Sequence, residues 1–160
     1  MPKILIVYYS RTGHTEQVAR ALAEKLGADI EKIRETRSRR GFFGYWRSGR
    51  EALSGKLPEI GAVEHDPAGY DLVLLGSPVW ASRPSTPMGA FLAANRDKLK
   101  RIACFVTLGG SGAEKTLARM ADAAGKPALA TFSATEGQLK SGAWKDGMER
   151  FAEAVRNAQA

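Results

Sequence analysis

The chain has 160 residues, 44% of them hydrophobic, which is enough for one substantial core and too little for two, so residues 1–160 are expected to form a single domain. Lys and Arg (24) outnumber Asp and Glu (17), and the formal charge of +7 favours anionic ligands or partners without choosing among phosphate, acidic protein, nucleic acid and membrane surface. A single cysteine and two histidines exclude an internal disulfide and a Cys/His zinc site, and no apolar run approaches the roughly 18 residues of a membrane span, so a soluble cytoplasmic protein without structural metal is expected.

The first element, "KILIVYY" (3–9), is a nearly continuous apolar run of the kind a strand buried on both faces requires, and it is too short for a signal peptide. Val18, Leu22 and Leu26 then recur every four residues before Gly27, predicting a helix over 14–26, and "DIEKIRE" (29–35) reads as a shorter, more polar strand. Residues 36–69 are irregular, with a short helix expected over 45–53. "YDLVLLGS" (70–77) is the most hydrophobic strand and the expected centre of the sheet. A helix over 86–94 follows it, then strand 101–107 and a helix over 111–125, whose start Ser111 and Glu114 mark with the spacing of a capping box. Strand 127–133 and a terminal helix with Trp144, Met148, Phe151 and Val155 on one face complete the chain. Strands alternating with helices imply right-handed crossovers and a doubly wound α/β sheet covered on both faces. In such sheets ligands gather beyond the carboxyl ends of the strands.

Between the first strand and the first helix stands "SRTGHT" (10–15). Ser10, Thr12 and Thr15 bring hydroxyl donors, Gly13 permits a tight turn, and no carboxylate occurs before Glu16. The free N–H groups of a helix start would welcome a phosphate there. A plain helix cap beside a glycine turn is the alternative. There is no G-x-G-x-x-G of a dinucleotide fold and no G-K-[ST] ending of a P-loop. With its position after the N-terminal strand, the element order and the chain length, "S-x-T-G-x-T" resembles the FMN-phosphate loop of the flavodoxin family. The resemblance runs over nearly the whole chain. It implies a three-layer flavodoxin-like sandwich with a five-stranded parallel sheet of order 2-1-3-4-5, noncovalent FMN, and phosphate binding by Ser10, Arg11, Thr12, Gly13, His14 and Thr15.

Two further loops suit the rest of such a cofactor. In "GSPVWASRPST" (76–86), Trp80 offers a flat apolar surface for the flavin ring, with Ser77, Pro78, Val79 and Ala81 beside its edge; a tryptophan packed in the core or on a neighbouring loop is the competing reading. In "TLGGSGAEK" (107–115), Leu108, Gly109, Gly110, Ser111 and Gly112 offer close backbone approach, although an ordinary glycine-rich turn has the same composition. Two departures from electron-carrying members bear on mechanism. Ala81, Ser82 and Arg83 replace a glycine followed by acidic residues, and alanine resists positive φ, while Arg83 favours an anionic reduced flavin. The fourth-strand loop also lacks the tyrosine that stacks on the outer ring face in such carriers, so that face is open unless residues 42–46 or a second subunit cover it.

Arg34, Arg37, Arg39 and Arg40 with Phe42, Phe43, Tyr45 and Trp46 form a basic and aromatic segment that would suit an acidic protein, a membrane surface or nucleic acid, and that reads first as a solvated edge with its aromatics in the core or a homodimer contact. No nucleic-acid motif accompanies it. His14 is a phosphate donor, a proton shuttle or a solvent-facing side chain. His65 is expected at the surface, and Cys104 as an inert core thiol. No catalytic acid or base is assigned. Three functions follow: an FMN electron carrier whose charge selects a partner with an acidic surface, an NAD(P)H- or quinone-linked FMN oxidoreductase, and a non-redox phosphate-ligand module on the same fold.

Overall fold

Alternating apolar residues that face opposite sides of one sheet organise this molecule. The computed structural model describes residues 2–35 and 60–158. The expected helix over 45–53 and most of the basic and aromatic segment lie outside them.

The elements are β1 (Ile4–Tyr8), α1 (His14–Leu26), β2 (Asp29–Lys32), β3 (Leu72–Trp80), β4 (Arg83–Pro84), α2 (Thr86–Asn95), β5 (Ile102–Leu108), α3 (Ala113–Ala124), β6 (Ala128–Thr135), α4 (Glu136–Ser141) and α5 (Trp144–Ala158). The strand order is β2-β1-β3-β5-β6, all parallel, and the short β4 folds back antiparallel on the end of β3. Leaving out β4, this is the doubly wound order 2-1-3-4-5.

Because side chains alternate along a strand, the central strands supply two cores. Ile4, Ile6, Leu72, Leu74 and Phe105 meet α1 and α5 on one face. Leu5, Val7, Val73, Leu75, Cys104 and Val106 meet α2 and α3 on the other. Each fully buried Leu, Ile or Phe side chain contributes about 1.5–3 kcal/mol, so these two layers dominate the stability. Gly76 in β3 is required by the first layer: a Cβ there would lie 2.2 Å from Cζ of the buried Phe105 on the neighbouring strand. Trp144, Met148, Phe151 and Val155 are all buried on the sheet side of α5, as their spacing predicts.

Several local expectations are corrected. β2 stops at Lys32. β3 runs on past residue 77 to Trp80, so Trp80 ends a strand instead of following it in a loop. β3 and β4 form a tight hairpin in which Val79 pairs with Pro84 and Trp80 with Arg83, leaving Ala81 and Ser82 as the turn. Their φ values are 53° and 61°, so alanine does occupy the left-handed region here. The reason lies in the strands: a two-residue hairpin matches their right-handed twist through a mirror-image turn, and the type I′ form requires positive φ at both turn residues. Nor is there a capping box at Ser111. Gly112, at φ 101°, occupies the N-cap of α3 without a side-chain cap, and a capping box is formed instead by Thr135 with Gln138, opening the unanticipated α4.

His65 is partly exposed, as expected, and is also anchored. Its Nδ1 lies 2.8 Å from Oε1 of the buried Glu31, which also accepts from the Glu64 and His65 N–H groups at 2.9 and 2.8 Å. This carboxylate fastens the returning chain to β2. Cys104 is fully buried, and burial pushes its thiol up to about 12, which fits an unreactive core residue. No helix among the described residues is long and apolar enough to cross a membrane.

Candidate functional site

Strand order reverses between β1 and β3, and the crevice at their carboxyl ends is where a doubly wound sheet places its ligand. A cleft of about 140 Å³, partly open to solvent, occupies that position. One wall is the segment after β1, another the end of β3, a third the end of β5, and Glu136 at the start of α4 closes the fourth side.

The segment after β1 is held by Ser10. Its Oγ accepts from the N–H of Gly13 at 3.1 Å and of Glu16 at 3.2 Å, which folds the loop over the start of α1 and satisfies one of the helix's free donors. Gly13 reverses the chain at φ 100°. The N–H groups of Arg11, Thr12, His14 and Thr15 have no protein acceptor among the described residues, and all four residues line the cleft. Free N–H groups at the positive end of a helix, beside a guanidinium and hydroxyls, are the donor set of an anion site.

Thr12 Oγ1 lies 3.1 Å from His14 Nδ1, and the same nitrogen is 3.7 Å from Oε1 of Glu136. His14 thus stands between a hydroxyl and a carboxylate. Thr15 is buried, and its Oγ1 is 2.7 Å from Oγ1 of the equally buried Thr107 at the end of β5. On the opposite wall Pro78, Val79 and Trp80 present the apolar surface, with Trp80 edge-on to Tyr9 at a centroid distance of 5.7 Å and 88° between planes. The Tyr9 hydroxyl donates to Glu35 at 2.6 Å.

Of the residues predicted from sequence, Arg11, Thr12, His14, Thr15, Pro78, Val79, Trp80, Leu108 and Gly109 line one cleft. Ser10 and Gly13 shape its loop from behind. Ser77 is fully buried and accepts from the Ser85 N–H at 2.8 Å, which ties the two arms of the hairpin together. Ala81 sits at the hairpin tip, and Gly110, Ser111 and Gly112 follow the lining residue Gly109 without lining the cleft themselves, Gly112 packing so closely on Ser82 that a Cβ would meet its Oγ at 2.7 Å. Glu136 lines the cleft without having been anticipated, and so does Thr107, which opens the expected loop 107–115 and also ends the expected strand 101–107 but is not singled out there. Glu136 follows Thr135, whose spacing to Gln138 is the sequence signal of this helix start.

A family model described as Flavodoxin matches residues 3–154. The chain belongs to the flavodoxin family. Among solved structures, this flavodoxin-family chain is similar to a flavoprotein from Lactobacillus acidophilus in complex with FMN, with a TM-score of 0.72 and 22% identity over 91% of this chain and 99% of that one. A flavoprotein from Bacteroides eggerthii gives a TM-score of 0.73 at 21% identity, over 95% and 99% of the two chains. These likenesses establish the fold. In sequence the chain resembles a protein of Cupriavidus metallidurans named NAD(P)H dehydrogenase (quinone), 34% identical over 97 residues. That match covers 58% of this chain and 46% of the relative, so it spans about half the length of that curated protein.

Proposed function

We propose that the chain binds FMN noncovalently in the cleft, with the phosphate on residues 10–15 and the ring beside Trp80, and that it moves electrons through this cofactor. The observation that carries the reading is that the N–H groups of Arg11, Thr12, His14 and Thr15 have no protein acceptor among the described residues, and that these residues line the same cleft as Trp80. Four donors, the Arg11 guanidinium and the Thr12 hydroxyl suit a dianionic phosphate ester, and an extended strand end with an indole suits a flat aromatic ring. When bound, FMN supplies transfer of one electron or of a hydride.

The residues of the chain have separate tasks. The donor loop neutralises the phosphate and fixes its position. Pro78, Val79 and Trp80 exclude water from one side of the ring's place, and Arg83, paired with Trp80 across the hairpin, adds positive potential beside it. None of these steps demands a side-chain acid or base.

A second, narrower reading is an NAD(P)H–quinone oxidoreductase. Its support is the name of the Cupriavidus relative, together with a cleft open to solvent, through which a nicotinamide or quinone would enter. On the carrier reading, the +7 charge selects a redox protein with an acidic docking face. Either task is proposed for the cytoplasm, where reduced nicotinamide is supplied.

Titration of the protein with FMN, followed by flavin fluorescence and with riboflavin as the phosphate-free control, tests the proposal. Tight FMN binding with much weaker riboflavin binding is expected, and equal or absent binding overturns it. With FMN loaded, steady NAD(P)H oxidation in the presence of a benzoquinone selects the enzyme. Reduction only by a separate reductase protein selects the carrier.

A further inference from the structure

The Thr15 and Thr107 hydroxyls are both buried, at 2% and 3% exposure, and both residues line the cleft. Their oxygens are 2.7 Å apart, so one hydroxyl donates to the other. Two hydroxyls carry two protons, and the mutual bond uses one. The other proton has no protein acceptor among the described residues. A buried donor left without an acceptor is costly, so its partner is to be sought in the cleft itself.

The direction of the bond decides which hydroxyl faces the ligand. Thr15 belongs to the first turn of α1, where the unpartnered N–H groups and the helix dipole gather an anion. Thr107 belongs to β5, whose backbone bears no comparable charge. An anion at the helix start therefore draws the free proton to Thr15, and Thr15 Oγ1 then accepts from Thr107. Donation along this chain polarises each bond in the same sense.

We infer that Thr107 is a positioning residue for anion recognition: by donating to Thr15 Oγ1 it turns the Thr15 hydroxyl proton toward the ligand's phosphate. The inference rests on the proposed FMN reading and deepens it. It also gives β5 a part in reading the phosphate as well as lining the cleft. Thr107 need not touch the ligand. It acts by leaving Thr15 only one useful direction in which to donate.

The test compares FMN and riboflavin affinities in the wild type, Thr107→Val, Thr107→Ser, Thr15→Val and the double Val variant, with thermal midpoints as a control for folding. In Thr107→Val, FMN affinity is expected to fall about five-fold, the scale of one neutral hydrogen bond, while riboflavin affinity holds. Thr107→Ser should restore FMN binding, and the phosphorus resonance of bound FMN should move in the Val variant and return in the Ser variant. On the Thr15→Val background the second substitution should add nothing, because the chain is already broken. An additional loss there would mean that Thr107 reaches the ligand by itself, and the inference falls. An unchanged FMN-to-riboflavin ratio in Thr107→Val also overturns it while leaving the FMN reading intact. A wild type that does not prefer FMN overturns the FMN reading and this inference with it.

Discussion

Thr12 illustrates how one loop position exposes the logic of the cleft. Its hydroxyl lies 3.1 Å from His14 Nδ1, and its N–H has no protein acceptor among the described residues. Thr12→Glu would put a carboxylate where the proposed phosphate gathers, and like charges at contact distance cost enough to weaken FMN binding roughly 10- to 100-fold. Riboflavin, lacking the phosphate, should be little affected, and the same fluorescence titration reads both. Equal weakening of the two ligands would move the phosphate off this loop. The side chains that are hardest to read in sequence are those defined by a distant partner. Nothing in "RIACFVT" announces that Thr107 meets Thr15, 92 positions away, or that Glu136 would stand beside His14. By contrast, the donor character of Ser10, Thr12 and Thr15 is visible because neighbouring residues, a glycine and a helix start, supply its context within six positions.

At the scale of elements, two arrangements yield predictions. The β3–β4 hairpin carries Trp80 and turns through Ala81 and Ser82, both left-handed, and each non-glycine residue in that region costs about 1–2 kcal/mol. The cost is offset by a clamp: Arg119 of α3 donates to the Ser82 carbonyl at 2.7 Å, and Ser77 ties the arms through the Ser85 N–H. Replacing the turn by Asn-Gly, through Ala81→Asn with Ser82→Gly, should therefore raise stability by about 1 kcal/mol, seen as a higher thermal midpoint. A lower midpoint would contradict the left-handed turn. The second arrangement joins β1, α1 and β2. Glu16 accepts from Tyr8 at 2.9 Å and from Lys32 at 3.1 Å, with Arg20 one turn further on at 3.6 Å. The Lys32 hydrogen bond, then that of Tyr8, holds the Glu16 carboxyl below the usual carboxylate range, while burial and Glu16 push the Tyr8 phenol upward. Since the folded state lowers this carboxyl, its contribution is fully present above the unfolded value of about 4.5 and is lost as pH falls through the lower folded value. Urea unfolding across that acid range should show Glu16→Gln less stable than wild type near pH 7 and the difference closing toward acid. A gap independent of pH would remove the carboxylate from the account.

For the whole molecule, cofactor and fold are thermodynamically coupled. FMN at about one hundred times its dissociation constant should stabilise the folded chain by about 2.7 kcal/mol, measurable as a shift of the urea midpoint. Riboflavin at the same concentration should do far less, and salt should erode the FMN effect, because a phosphate held by exposed N–H groups and Arg11 is partly screened. No FMN-dependent shift would leave the cleft without its proposed occupant. The sequence by itself determined the alternation of strands and helices, the central place of the strand around residues 72–77, the buried face of the last helix and the hydroxyl-rich loop after the first strand. These are periodic or local properties, carried by residues within a turn or two of one another. Only the tertiary structure decided that Trp80 ends a strand, that Ala81 and Ser82 turn left-handed, that His65 is bound to Glu31, and that Thr107 and Glu136 join the cleft. The last two depend on partners far away along the chain, which the order of strands in the sheet brings together, and the first two on the antiparallel return of β4 onto the end of β3, which no periodicity announces.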